Sequence, residues 1–213
     1  MIRRRTLAAA TLFVHGQIQS SFHIQVSEAL VYSRSSEPVR FERDCPAVLV
    51  PAGDVVTLPA GSIGYITQAL GGSWTVFVEG NLMRIAGQDA DAIGKEPPPA
   101  IELPEGASDD EVEILVWSQL RTCFDPEIPI NIVDLGLVYE ATVVRAEDGQ
   151  RRIEVRMTLT APGCGMGDIL IDDVRSKLEM IPTVVEADVE MVFDPPWGRH
   201  MMSEVARLET GMF

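Results

Sequence analysis

Residues 153–170 have the sequence IEVRMTLTAPGCGMGDIL, and this stretch decides the fold of the C-terminal half. Apolar and polar residues alternate over 153–159, which predicts a strand with one buried face. The next six residues contain a proline and two glycines, which end the strand. Apolar residues then recur at helical spacing over 166–180. The stretch predicts a strand, a tight turn that holds Cys164, and an amphipathic helix.

Two further alternating segments flank this unit. Residues 137–144 precede it across the turn signal Glu147-Asp148-Gly149, which predicts a β-hairpin. Residues 184–193 follow the helix, and Val185 and Ala187 are expected on the same apolar face. A right-handed crossover would make this third strand parallel to the second.

Helices complete the order of elements. Ser108 and Glu111 form a capping-box signature, and the helix that they begin is predicted to end near Asp125. Residues 201–208 can form a short closing helix. The order predicts an α+β fold with a small mixed three-stranded sheet covered by helices.

The N-terminal half has a different pattern. Short apolar runs separated by glycine and proline predict a small all-β domain, and a proline-rich stretch predicts a linker. An early eight-residue apolar run after three arginines is short for a secretory signal and lacks a clear cleavage site. The expected divisions are an N-terminal extension at 1–23, the all-β domain at 24–94, the linker at 95–107 and the α+β domain at 108–213.

Composition limits the classes of function. The net charge is -15, and residues 101–150 hold 12 Asp or Glu and 2 Arg, so a nucleic-acid partner is not expected. No stretch reaches the roughly 18 apolar residues of a membrane span. The three cysteines are widely spaced, which argues against a disulfide framework or a zinc site and predicts reduced thiols in the cytoplasm.

Three loops are predicted to meet at one end of the C-terminal sheet. Asp134 precedes the first strand, Cys164 follows the second, and Trp197 follows the third. A thiol at the start of a helix favours the thiolate, which binds metals and attacks electrophiles. Structural roles remain as alternatives, because Cys164 could be core, Asp134 could cap a turn and Trp197 could close the core.

Other residues are expected to shape these loops. Two prolines make the segment that begins at Asp125 a rigid acidic turn. The expected site-shaping residues are Asp125, Pro126, Glu127, Thr160, Pro162, Gly163 and Trp197.

Four ordered motifs resemble the SufT-type iron-sulfur cluster assembly factors, with PaaD and the eukaryotic cytosolic iron-sulfur targeting factor as relatives. They are Asp125-Pro-Glu-Ile-Pro129, Val133-Asp-Leu-Gly-Leu-Val-Tyr139, Met157-Thr-Leu-Thr-Ala-Pro-Gly-Cys164 and Pro195-Pro-Trp197. The N-terminal half also resembles the extension of longer bacterial members. Many relatives have proline directly after the cysteine, where this chain has Gly165.

The resemblance implies a maturation factor for iron-sulfur proteins, with Cys164 at the family's characteristic cysteine. From the predicted meeting of the loops, we expect Cys164 and Asp134 to handle iron or a cluster. One cysteine cannot supply four cluster ligands, so we expect an adaptor or transient carrier without a tightly bound cofactor. The expected partners are the assembly machinery and client apoproteins, and a homodimer would let two chains share a cluster. We expect no enzyme activity.

Two other functions remain open. A cysteine-nucleophile hydrolase would need a histidine base, and His200 is the only plausible one by position. An accessory subunit of a metabolic oxygenase, as for PaaD, is the other.

Overall fold

The structure is a computed structural model that describes residues 36–125, 128–161 and 166–211. Outside these residues lie the predicted extension and the site residues Pro126, Glu127, Pro162, Gly163 and Cys164. Among the described helices, none combines the length and apolar character that crossing a bilayer requires.

The N-terminal part contains a six-stranded antiparallel sheet in the order β1-β4-β5-β6-β2-β3. Its strands are β1 (Glu37–Arg40), β2 (Cys45–Val50), β3 (Val55–Leu58), β4 (Ile63–Leu70), β5 (Ser73–Val78) and β6 (Asn81–Ile85). Gly71 and Gly72 both have positive φ, which suits a two-residue hairpin turn between β4 and β5. The sequence pattern indicated β2 to β5, but it did not single out β1, β6 or the 3₁₀ helix Gly87–Ile93.

The C-terminal part is the predicted α+β unit. Its sheet has the order β7-β8-β9, with β7 antiparallel and β9 parallel to β8, which confirms the expected topology. Its elements are α1 (Asp109–Leu120), β7 (Val138–Arg145), β8 (Arg151–Met157), α2 (Gly167–Leu178), β9 (Val184–Met191), the 3₁₀ helix Arg199–Met201 and α3 (Glu204–Thr210). Buried residues of α1, α2 and all three strands share one hydrophobic core.

The capping box at the start of α1 is confirmed, but the predicted end of the helix is wrong. Ser108 Oγ accepts a hydrogen bond from Glu111 N at 3.3 Å, and Glu111 Oε2 accepts one from Ser108 N at 2.8 Å. The helix ends at Leu120, several residues before Asp125. The chain leaves it early because Phe124 forms a β-bridge with Asn131, and because a following proline disfavours helical geometry at Asp125.

The prediction for Val185 is also wrong. The pairing of β8 with β9 shifts register at this position, so that Arg151 pairs with Val184 and Arg152 with Glu186. Val185 is 57% exposed, whereas Ala187 is buried as expected. A one-residue bulge of this kind changes which face the following side chains occupy.

Contacts also join the six-stranded sheet to the helices of the C-terminal part. A Cβ atom at Gly71 would overlap the carbonyl oxygen of Thr122, so only glycine allows this approach. Arg84 of β6 forms an ion pair with Asp173 of α2, and Lys177 donates to Thr122 O at 2.6 Å. Residues 36–213 form one compact unit. The division into separate domains stays a prediction.

A buried arginine fastens the start of β8 to its surroundings. The Arg151 side chain is 2% exposed, and its guanidinium donates to Asp109 Oδ1 at 2.8 Å, Thr183 Oγ1 at 2.7 Å and Ala107 O at 2.5 Å. Thr183 has φ of 75°, which is unusual for a β-branched residue. Arg151 therefore holds the start of α1 and a strained turn in place.

Arg151→Met should lower the free energy of unfolding by about 1–3 kcal/mol, because it leaves the buried carbonyl oxygen of Ala107 without its donor. Arg152→Met is the matched control, since that exposed side chain forms only a surface ion pair with Glu154 and should change stability by less than about 1 kcal/mol. Urea unfolding followed by tryptophan fluorescence measures both. Equal losses for the two variants would show that Arg151 has no special role.

Candidate functional site

The register of the C-terminal sheet places three connecting segments at one end. Val138, Met157 and Met191 lie side by side on β7, β8 and β9. Beyond them, Thr158 N donates to Leu137 O at 2.8 Å, and Val192 N donates to Met157 O at 2.7 Å. The segment before β7 and those after β8 and β9 therefore meet at the same end, as the sequence predicted.

Asp134 is fixed by an asparagine three residues earlier. Asn131 Nδ2 donates to Asp134 Oδ2 at 2.6 Å, and Asp134 N donates to Asn131 Oδ1 at 2.9 Å. The side chain is half-buried, and within the described ranges Oδ1 has no hydrogen-bond partner. One carboxylate oxygen is thus held in place while the other could contact a metal ion.

The segment after β9 holds the turn that carries Asp134. Trp197 Nε1 donates to Leu135 O at 2.8 Å, and Ser203 N donates to Asp134 O at 2.8 Å. Gly136 has φ of 70°, and a Cβ atom there would overlap the carbonyl oxygen of Met201. Trp197 is half-buried against the core, so it positions the turn through its ring nitrogen while it also closes the core.

Asp125 lies in the neighbouring turn. It is 6% exposed, and its Oδ1 accepts a hydrogen bond from Ile128 N at 2.8 Å. The bridge between Phe124 and Asn131 places this turn beside the asparagine that holds Asp134. Asp125 therefore braces this turn through its carboxylate, and its role in shaping a functional site stays a prediction.

The segment that contains Cys164 begins and ends at this same end of the sheet. Thr160 is half-buried, and α2 begins at Gly167 with no side-chain cap. A Cβ atom at Gly167 would lie 3.2 Å from Leu159 Cδ1, so the two ends of the segment are close. The expected proximity of Cys164 to Asp134 stays a prediction, because Cys164 lies outside the described residues.

Sequence reasoning missed two residues that organise the site. Asn131 could have been found from the sequence, because Asn is a typical turn residue. Its side chain often accepts a hydrogen bond from a backbone N–H a few residues later. Tyr139 donates its hydroxyl to Pro195 O at 2.8 Å and so joins β7 to the segment after β9. No local sequence signal predicts that long-range bond.

The other two thiols are poor metal ligands. Cys45 and Cys123 are both fully buried, and burial raises the pKa of Cys45 to about 11 and that of Cys123 to about 12. His200 forms no hydrogen bond or ion pair with the described residues. Within the described ranges, no group of three or more His, Cys, Asp or Glu could hold a metal ion.

Comparisons with known proteins match the C-terminal part. The model of the iron-sulfur cluster assembly protein family matches residues 115–189. The chain is 48% identical over 92 residues to an "Fe-S protein maturation auxiliary factor" of Porphyromonas gingivalis, covering 43% of this chain and 84% of that protein. It is 43% identical over 88 residues to the "Fe-S protein maturation auxiliary factor SufT" of Staphylococcus aureus, covering 41% and 96%.

Solved structures are also similar, and one of them comes from Bacillus anthracis. A domain of unknown function from Bacillus anthracis is 33% identical, with a TM-score of 0.43, and the match covers 49% of this chain and 96% of that chain. The family match begins after the six-stranded sheet and includes Asp125, Asp134 and Cys164.

Gly136→Ala should destabilise the fold by about 2–5 kcal/mol, because it combines an unfavourable φ with overlap against Met201. Gly149→Ala is the control, since it has φ of 83° but nothing within 4 Å of the added atom, and should cost about 1–2 kcal/mol. Urea unfolding gives both values. Equal costs would mean that the segment after β9 yields to the added methyl group.

Cys45 and Cys123 should resist iodoacetamide at pH 8 in the native protein. A thiol with a pKa of about 11 is only about 0.1% thiolate at that pH, and a raised pKa always reduces the reactive form. Peptide mass spectrometry should find both modified only after unfolding in urea. Rapid modification of either cysteine in the native protein would contradict the finding that both thiols are buried and unreactive.

Proposed function

Because the chain belongs to the family of iron-sulfur cluster assembly proteins, we propose that it acts in the maturation of iron-sulfur proteins as an adaptor or transient carrier. The observation that most supports this proposal is the position of the Asp134 carboxylate. Asn131 fixes it at the end of the sheet where the segment that contains Cys164 begins and ends. Its relatives named above are maturation auxiliary factors, and this chain spans more than four fifths of each.

The donor set supports brief handling of a cluster as cargo. Thiolate is a soft ligand suited to iron, and in the sequence Cys164 lies three residues before Gly167, the first residue of α2. Asp134 offers one oxygen ligand. Cys45 and Cys123 are buried with raised pKa values, so they do not complete a four-ligand set. Any further ligands would come from a partner protein, a second copy or an external thiol.

The site gives little support to hydrolysis. A cysteine nucleophile needs a base that is oriented by a third group. Among the described residues, His200 has no such acceptor, and its ring folds back over Gly198. We therefore propose a non-enzymatic role among assembly proteins and client apoproteins in the cytoplasm.

In cells that lack this protein, a Cys164→Ala variant should restore less than about a tenth of the activity of an iron-sulfur client enzyme. Asp134→Asn should also be impaired, because the fixed carboxylate loses its charge. Cys45→Ala is the control and should restore activity to the wild-type level. Variant abundance is measured by immunoblot, and full rescue by both site variants would refute the proposed site.

A separate measurement distinguishes carrier from adaptor. The full chain and Cys164→Ala are incubated anaerobically with ferrous iron and sulfide, and visible absorption is recorded. Absorption in the wild type alone supports a carrier. Absence from both, together with failed rescue by Cys164→Ala in cells, supports an adaptor.

A further inference from the structure

Among the described strands, β9 pairs only with β8, so its other edge, the free edge, has no strand partner in this part of the chain. Val192 N donates to Met157 O across that pair, so the alternate residues Ala187, Val189 and Met191 direct their N–H and C=O groups away from β8. The Arg175 Nε contact with Ala187 O at 3.4 Å is consistent with this direction.

The exposed face of this edge strand is acidic. Glu186, Asp188 and Glu190 alternate along β9, and all three are exposed. Glu190 lies 3.4 Å from Arg156 of β8. Glu186 and Asp188 form no ion pair among the described residues, although Arg152 of β8, which is paired with Glu154, lies near enough to interact with both.

The other face of β9 is apolar. Ala187 and Val189 are buried in the core, and Met191 packs against it. Val185, displaced by the register shift, is 57% exposed next to the same edge. A strand added here would therefore meet carboxylates on one face and continue the apolar layer on the other.

We propose that the free edge of β9 binds an extended segment of a partner protein in which lysine or arginine alternates with apolar residues. Main-chain hydrogen bonds to Val189 and Met191 provide the attachment, as in other cases of strand addition, whereas Ala187 O already accepts a contact from Arg175. Basic side chains lie opposite Glu186, Asp188 and Glu190, and cross-strand pairs of opposite charge are stabilising.

The charges disfavour a second copy of this chain as the occupant. Two β9 strands paired antiparallel about Asp188 would place carboxylates opposite carboxylates, which is destabilising. Net charge of -15 adds long-range repulsion between copies. A basic partner avoids both costs. This inference does not rest on the proposed function.

The test uses the full chain and a fluorescein-labelled seven-residue peptide of four lysines alternating with three valines, followed by fluorescence anisotropy. The wild type should bind, and E186K/D188K/E190K should weaken binding about tenfold or more. The control E42K/E79K/E96K changes charge equally at exposed positions outside the C-terminal sheet and should bind almost as the wild type does. An equal loss of peptide affinity in both variants would show that only the net charge matters, and it would overturn the proposal.

Methylation of the peptide's backbone nitrogens tests strand addition itself. In antiparallel addition the valine N–H groups face β9, and in parallel addition the lysine N–H groups do. Methylation of one set should therefore abolish binding while methylation of the other retains it. Binding that survives both methylations, or no binding by the unmodified peptide, would overturn the proposal. The carboxylates would then serve only to prevent self-association of the edge strand.

Sedimentation velocity tests whether a second copy of this chain binds the β9 edge instead. The wild type should sediment as a monomer without peptide. A dimer that E186K/D188K/E190K disrupts and the control variant keeps would assign the edge to a second copy and overturn the proposal.

Discussion

The parallel pairing of β9 with β8 is the constraint on which the site depends. Parallel neighbours require a crossover connection, and α2 provides it across the face that also carries α1. Both strands therefore finish at the same end, with Met157 beside Met191, and antiparallel β7 must begin there. Had β9 joined the sheet antiparallel, the segment with Trp197 would leave from the opposite end, and the turn at Asp134 would lose its support.

Backbone contacts, more than side-chain clusters, build this end of the sheet. The carbonyls of Asp134 and Leu135 each accept a hydrogen bond from the segment after β9, and Gly136 lets that segment approach closely. Contacts of this kind fix the direction of the Asp134 side chain without surrounding it by ligands. The result is a carboxylate of defined position that remains half-buried.

Local signals predicted the elements, and long-range contacts decided what those signals missed. The capping box at Ser108 and the alternation in β7, β8 and β9 are local, so the sequence was sufficient for them. The end of α1 depends on the bridge between Phe124 and Asn131, and the exposure of Val185 depends on pairing with β8. For the site, strand directions predicted the convergence of loops, whereas the partners of Asp134 and Trp197 follow from tertiary packing. The place of Cys164 stays a prediction.

The proposed cluster site and the proposed strand-binding edge both reach the same end of the sheet. Cys45 and Cys123 lie buried in two separate cores, so this chain cannot bring them to a cluster without unfolding. A carried cluster would then need donors from another molecule. A segment bound along β9 would extend toward Met191, which is level with Met157 at the end where the Cys164 segment begins. Partner binding at that edge would thus bring the partner's side chains toward the end of the sheet where Asp134 lies.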